Sequence, residues 1–208
     1  MRRESSTVVV LIGQADDRLL AGLARSGNIS VARAASGDAS ESDQPDAAHP
    51  GWEPGALAMR EAARRRSTYV IVPDDPLHDV ANRWQAMWEV PGGQDGAAGF
   101  EASAAEALAA WRDKQFELPD YYLVIAPAQP EATDRGASPA LYLGPLQTVR
   151  PRRVAIAAVT DTMAEPSQII NALRSLEHGP WWPPLDEVLD AARRFYPGSL
   201  ADSQSLVT

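Results

Sequence analysis

The chain has 208 residues, of which 45% are apolar, with no cysteine and a net charge of -9. This length and apolar content suit one domain with a full core, and the lack of cysteine excludes disulfides, thiolate zinc sites, iron–sulfur clusters and cysteine nucleophiles. The negative charge makes nucleic acid and anionic membranes unlikely partners. No early apolar run is long enough for a signal peptide or a membrane span, so we expect a cytoplasmic protein.

The first part of the chain predicts a β-α-β unit. Residues 8–13 form an apolar, β-branched run, and Asp16-Asp17 follow it at the start of a predicted helix. Residues 28–34 then read as a second strand. Residues 35–54 are rich in Ser, Asp, Gly and Pro, which predicts a long, mobile, acidic insertion.

The stretch at residues 68–76 has the same design as the opening. Its β-branched run leads into Asp74-Asp75-Pro76. Aspartate is a preferred helix N-cap and proline is favoured at the first helical position, so Asp75 is predicted to cap the next helix. A helix is expected on each side of this strand, with the preceding one over residues 55–66.

The second half of the chain continues the alternation of strands and helices. It predicts a helix over 100–114, a strand over 121–126, a short antiparallel strand over 141–143, a strand over 154–159, and helices over 166–176 and 185–195. Residues after 198 are predicted to be a disordered tail.

Strands that are apolar on successive residues are typical of a parallel sheet covered on both faces. We therefore predict a single α/β domain over residues 1–198, a three-layer fold of Rossmann-like or flavodoxin-like kind. Its sheet is expected to be mainly parallel, with one short antiparallel strand. Residues 180–198 are expected to form a C-terminal helical appendage.

Charges are sorted along the predicted helices, with acids near their starts and arginines near their ends. This is the arrangement that the helix dipole favours. In an α/β sheet it predicts an acidic edge at the carboxyl ends of the strands and a basic edge at the amino ends. Ligands of such folds bind at the carboxyl edge.

The acidic edge supplies the candidate site. A cleft formed by carboxylates at strand ends would suit magnesium, which prefers oxygen ligands. Capping of helices explains most of these acids without a metal, and we favour that interpretation. The candidate residues are Asp16, Asp17, Asp74, Asp75 and Asp161.

The paired acids after the first and third strands resemble those of the receiver domains of response regulators. The resemblance covers residues 8–76. Beyond it the sequence departs from the pattern of that family, because no threonine or serine ends the strand at 121–126 and no lysine ends the strand at 154–159. The family is therefore not assigned.

Several other features have simpler explanations than a site. The runs at residues 64–66 and 150–153 would suit an acidic partner or nucleic acid, but compensation of helix ends explains them. Gly93, Gly96 and Gly99 follow a helix rather than a strand, which indicates a flexible connection and not a phosphate loop. The three histidines stand alone.

Trp181-Trp182-Pro183-Pro184 is an extended link before the last predicted helix. Two adjacent indoles cannot easily point in the same direction, so at least one is expected to fasten that helix to the domain. The alternative is that Trp181 and Trp182 form a surface for a protein partner.

No stretch matches a catalytic or cofactor motif. The sequence therefore favours a non-catalytic regulatory or partner-binding α/β protein. The alternative is a magnesium-dependent enzyme that acts on phosphate esters or nucleotides through the acidic edge, and magnesium is a cofactor only under that alternative.

Overall fold

The structure is a computed structural model that describes residues 6–34, 50–89, 94–127, 139–159 and 164–195. Most of the predicted insertion, Asp161 and the predicted tail lie outside these residues. Among the helices in the described ranges, none combines the length and the apolar character that crossing a bilayer requires.

The described strands form one parallel sheet of five strands in the order β2-β3-β1-β4-β5. Every strand is hydrogen-bonded in the parallel sense, and β1 lies at the centre between β3 and β4. The strands are β1 (Thr7–Ile12), β2 (Ile29–Val31), β3 (Tyr69–Val72), β4 (Tyr121–Pro127) and β5 (Val154–Val159).

Successive side chains of β1 point to opposite faces of the sheet. Val9 and Leu11 enter one core, which α1 (Asp17–Ala24) and α6 (Pro166–Arg174) cover. Val10 and Ile12 enter the other. The predicted three-layer, Rossmann-like α/β fold is confirmed. Its strand order differs from the 3-2-1-4-5 and 2-1-3-4-5 orders of Rossmann and flavodoxin sheets, because β3 lies between β2 and β1.

The second face carries the larger helical layer. It contains α2 (Glu53–Ala62), α3 (His78–Glu89), α4 (Gln94–Arg112), the short α5 (Gln147–Val149) and α7 (Leu185–Arg194). Leu185, Val188 and Leu189 of α7 are buried in the main core. The helix expected as an appendage is thus a full member of this layer.

Residues 141–143 are not the antiparallel strand that the sequence predicted. Tyr142–Leu146 is a π-helical turn that continues into α5, and Pro151–Arg153 is a 3-10 turn that leads into β5. The buried residues of this segment recur at a helical spacing and do not alternate as in a strand. They are Leu141, Tyr142, Pro145 and Leu146. Pro145 cannot donate a backbone hydrogen bond, which favours an irregular turn at this point.

Helix α4 begins at Gln94, earlier than predicted, so Gly96 and Gly99 lie inside it. A Cβ atom at Gly96 would lie 3.3 Å from the Cα atom of Met87 in α3. The missing side chain at Gly96 therefore allows α3 and α4 to pack closely. Gly96 and Gly99 thus belong to a helix and not to the flexible connection that the sequence indicated, and Gly93 lies outside the described residues.

Gly55 provides a test of how tightly α2 packs on the end of β3. A Cβ atom there would lie 2.1 Å from the backbone nitrogen of Pro76. We expect Gly55→Ala to lower the free energy of unfolding by about 3 kcal/mol or more, because neither backbone can move freely. A Cβ atom at Gly27 would have no neighbour within 4 Å, so Gly27→Ala should change the free energy of unfolding by less than about 0.5 kcal/mol. Equal urea midpoints for the two variants would contradict this packing.

Candidate functional site

The acids at the carboxyl edge of the sheet have different structural roles. Asp16 caps α1, with its Oδ1 atom accepting a hydrogen bond from the Leu19 amide at 2.7 Å. Asp17 is exposed and forms an ion pair with Arg33 at 2.6 Å. An Asp74 oxygen accepts from the Ala34 amide at 3.3 Å and so joins the ends of β3 and β2.

No group of three or more metal-ligating side chains comes together within the described ranges. Asp161 lies outside those ranges, so a cluster that includes it stays a prediction. Among the four acids that are described, each carboxylate has a role in a helix cap, an ion pair, a loop contact or, for Asp75, a buried cluster.

Asp75 is buried, with 5% of its surface exposed. Tyr142 donates a hydrogen bond to Oδ2, and Tyr122 donates one to Oδ1 at 3.3 Å. The two rings pack against each other with their centroids 5.1 Å apart. The backbone amide of Leu77 also bonds to the carboxylate. Helix α3 begins at His78, so Asp75 lies three residues before its first residue and not directly before it as the sequence predicted.

The environment of this carboxylate changes its acidity. Burial raises the pKa of Asp75 from 3.8 to about 6, and the hydrogen bond from Tyr142 is the strongest opposing effect. Burial, followed by the negative charge of Asp75, raises the pKa of Tyr142 and Tyr122 well above the ordinary value. Both phenols therefore stay protonated and act as donors at neutral pH.

At the opposite edge of the sheet, Arg153 is buried with 8% of its surface exposed. Its guanidinium donates to the carbonyl oxygens of Asp120, Gly179 and Pro180 at 3.2, 2.8 and 3.1 Å. The charge also lies 4.9 Å from the ring centre of Tyr121 and 4.8 Å from that of Trp181. Arg153 thus fixes the chain segment that leads to α7.

The neighbouring arginines hold the same segment. Arg150 donates from Nε to the Trp181 carbonyl at 2.6 Å, and Arg152 donates to the His178 carbonyl at 3.3 Å. Arg152 also forms an ion pair with Glu177 at 3.3 Å. Arg150 also donates to the Val149 carbonyl at the end of α5 at 2.9 Å, which agrees with a role at a helix end. The run at 150–153 in addition fastens the segment that leads to α7, a role that the sequence did not indicate.

The two adjacent tryptophans have different environments. Trp182 is 6% exposed, its indole Nε1 donates to the Pro119 carbonyl at 2.8 Å, and its ring packs edge-on against Tyr122. Trp181 is half-buried beside Arg153. The sequence predicted that the two indoles would point in different directions. It could not predict the hydrogen bond of Trp182, because Pro119 is distant in sequence.

A cleft of 1180 Å³ opens at the amino edge of the sheet, next to this segment. It lies between α2, the end of α4 and residues 181–184. Its aromatic lining residues are Trp111, Phe116, Trp181 and Trp182, and its basic ones are Arg60, Arg64, Arg65, Arg112 and Lys114. These basic residues belong to the basic edge that the charge sorting predicted. The cleft itself could not be predicted from the sequence, because its walls come from four separate segments of the chain.

No protein-family model and no curated protein matches the sequence. Among solved structures, the chain is similar to one titled "Crystal structure of NadR protein in complex with NR", with 16% sequence identity and a TM-score of 0.41. The similarity covers 92% of this chain and 51% of that one. The present chain therefore spans about half the length of that solved chain.

The buried carboxylate predicts a pH dependence of stability. Because the folded pKa of Asp75, about 6, exceeds the ordinary value of 3.8, the folded state keeps a proton that the unfolded chain has lost between these values. This group therefore lowers the free energy of unfolding by about 3 kcal/mol as the pH rises through this window, with no further change above it.

Asp75→Asn should remove this contribution. Urea denaturation across the window should show the stability of the wild type falling, relative to that of Asp75→Asn, as the pH rises. Asp17→Asn is the control, since Asp17 is exposed. A stability difference between wild type and Asp75→Asn that stays constant with pH would contradict the assignment.

Truncation of the two tryptophans should have unequal effects. Trp182→Ala should lower the free energy of unfolding by about 3 to 5 kcal/mol, as for large buried aromatic residues. Trp181→Ala should cost about 1 to 2 kcal/mol, since the half-buried ring loses mainly its contact with Arg153. Chemical denaturation measures both, and two variants as stable as the wild type would show that the segment does not fasten α7.

Proposed function

We propose that this chain is a non-catalytic, partner-binding α/β protein, and that an acidic peptide segment of another protein occupies the cleft at the amino edge of the sheet. The observation that carries the proposal is the composition of the cleft, an aromatic interior with a rim of five cationic side chains. Buried aromatic anchors surrounded by charged rims are typical of peptide and protein interfaces.

The local charge is opposite in sign to that of the whole molecule. The chain carries a net charge of -9, yet Arg60 of α2 lines the cleft together with Arg64 and Arg65, which follow the end of that helix. Arg64 and Arg65 form ion pairs with Glu61, but their side chains remain 78% and 45% exposed. Exposed ion pairs are weak, so these guanidinium groups can exchange Glu61 for a carboxylate of a partner.

An acidic peptide suits the cleft better than a nucleic acid does. Glu117 and Asp120 also line it, so an occupant has to keep its negative charges away from these two carboxylates. A peptide can place its carboxylates at the arginines and its apolar side chains on the aromatic residues. The overall negative charge further disfavours approach of a polyanion.

The residue types also favour binding over catalysis. Arginine does not release its proton near neutral pH, so it cannot act as a general acid or base there. It forms directed, paired hydrogen bonds to carboxylates instead. The acidic carboxyl edge, which an enzymatic role would need, is engaged in caps and packing among its described members.

The proposal is tested by fluorescence anisotropy with a labelled short peptide of alternating glutamate and leucine. We expect saturable binding that salt weakens. An Arg64→Glu, Arg65→Glu double variant should bind roughly tenfold more weakly or worse, since four units of charge change at the rim. The matched control changes the charge by the same four units with Arg25→Glu and Arg174→Glu, because both residues are exposed at the ends of α1 and α6, in the other helical layer.

Two competitors complete the design. A peptide with lysine in place of glutamate should not bind. A single-stranded oligonucleotide that displaces the acidic peptide at lower concentration would replace the proposed partner with a nucleic acid. Equal binding by the double variant and the control variant would place the peptide elsewhere and refute the proposed site.

A further inference from the structure

Lys114 is the only lysine among the 19 basic residues of the chain. It is exposed and lies on the rim of the cleft, at the end of α4. A composition that uses arginine for nearly every positive charge makes this one lysine distinctive. Arg112 and Trp111, which precede it closely in sequence, line the same cleft.

The backbone of Lys114 is strained. Its φ angle is +59°, and no other described non-glycine residue has a positive φ. The Lys114 amide donates to the Trp111 carbonyl at 3.0 Å, and the Gln115 amide donates to the Ala110 carbonyl at 2.9 Å. These two bonds form the helix ending in which glycine is the usual residue at the left-handed position.

The chain uses glycine where a positive φ serves packing alone. Gly13, with a φ angle of +111°, ends β1 where a Cβ atom would lie 3.1 Å from the Ile125 carbonyl oxygen. At Lys114 a positive φ angle is adopted by a residue with a long, charged side chain instead. Strain that glycine would relieve is retained at sites where the side chain has a function.

None of the ion pairs formed between described residues involves Lys114. The other rim cations are engaged with parts of the protein. Arg60 donates to the Gln115 side chain at 2.7 Å, and Arg112 lies 3.8 Å from Asp186. Lys114 therefore offers a cation at the cleft without first breaking an internal ion pair of the described structure.

We propose that Lys114 is a specificity-determining contact of the cleft, and that its ammonium group binds a carboxylate of the acidic segment. This inference rests on the proposed function and adds the residue that selects a single carboxylate. An ammonium group is a compact charge on a flexible stem, with three donors that can turn toward one anion. The left-handed backbone fixes the direction from which that stem leaves the helix end.

The test separates the backbone of Lys114 from its side chain. Lys114→Gly relieves the strain and removes the charge, so we expect a higher urea midpoint than the wild type together with roughly tenfold weaker binding of the glutamate–leucine peptide. Lys114→Arg keeps the charge and should retain most of the affinity. Lys114→Asn, whose side chain tolerates this backbone region, should follow Lys114→Gly in binding.

Chemical labelling gives an independent measurement. Acylation of Lys114 by acetic anhydride is followed by mass spectrometry, with and without the peptide. We expect the bound peptide to slow acylation several-fold. Full affinity of Lys114→Gly, or unchanged acylation in the presence of saturating peptide, would overturn the role of Lys114.

These outcomes are distinct from failure of the proposed function. If the peptide binds the wild type and the Arg64→Glu, Arg65→Glu variant weakens it while Lys114→Gly does not, the cleft binds its partner without Lys114. If the peptide does not bind the wild type at all, both the proposed function and this inference fail.

Discussion

The buried guanidinium of Arg153 is the interaction on which the amino edge of the sheet depends. An unpaired buried charge would be costly. Here three carbonyl oxygens and two aromatic faces surround it, from the start of β4 on one side and residues 179–181 on the other. Because Trp182, Pro183 and Pro184 follow directly, fixing this segment also fixes where α7 begins and where one wall of the cleft stands.

The two edges of the sheet use charge for different purposes. At the carboxyl edge, carboxylates satisfy backbone amides, as Asp16 and Asp74 do, and the helix dipoles favour them there. At the amino edge, helix ends favour cations for the same reason. The rim of the cleft holds five cationic side chains, and one of them, Lys114, has a backbone conformation that residues other than glycine rarely adopt.

The sequence predicted the five strands of the sheet because most of their residues are apolar on consecutive positions, which is typical of a sheet covered on both faces. The same kind of signal failed at residues 141–143, because a short apolar run also suits a buried helical turn. It could not predict that Tyr122 and Tyr142 converge on Asp75, since these residues come from three distant segments and Asp-Pro is by itself a sufficient helix-start signal. The role of the arginines at 150–153 in fastening the segment before α7 was missed for a similar reason. A charged run appears solvated until a later segment, here residues 178–181, folds across it.

The cleft and the buried carboxylate share structural support. Tyr122 donates to Asp75 and also packs edge-on against Trp182, with ring centroids 5.6 Å apart. Helix α2 contacts the Asp75 backbone at Gly55 and reaches the cleft with Met59 and Arg60. The floor and one wall of the cleft are therefore held by core packing and not by surface loops. Under the proposed function, a partner that entered such a preformed site would lose little free energy to ordering the protein, so a few charge contacts and aromatic surfaces would be enough to give it affinity.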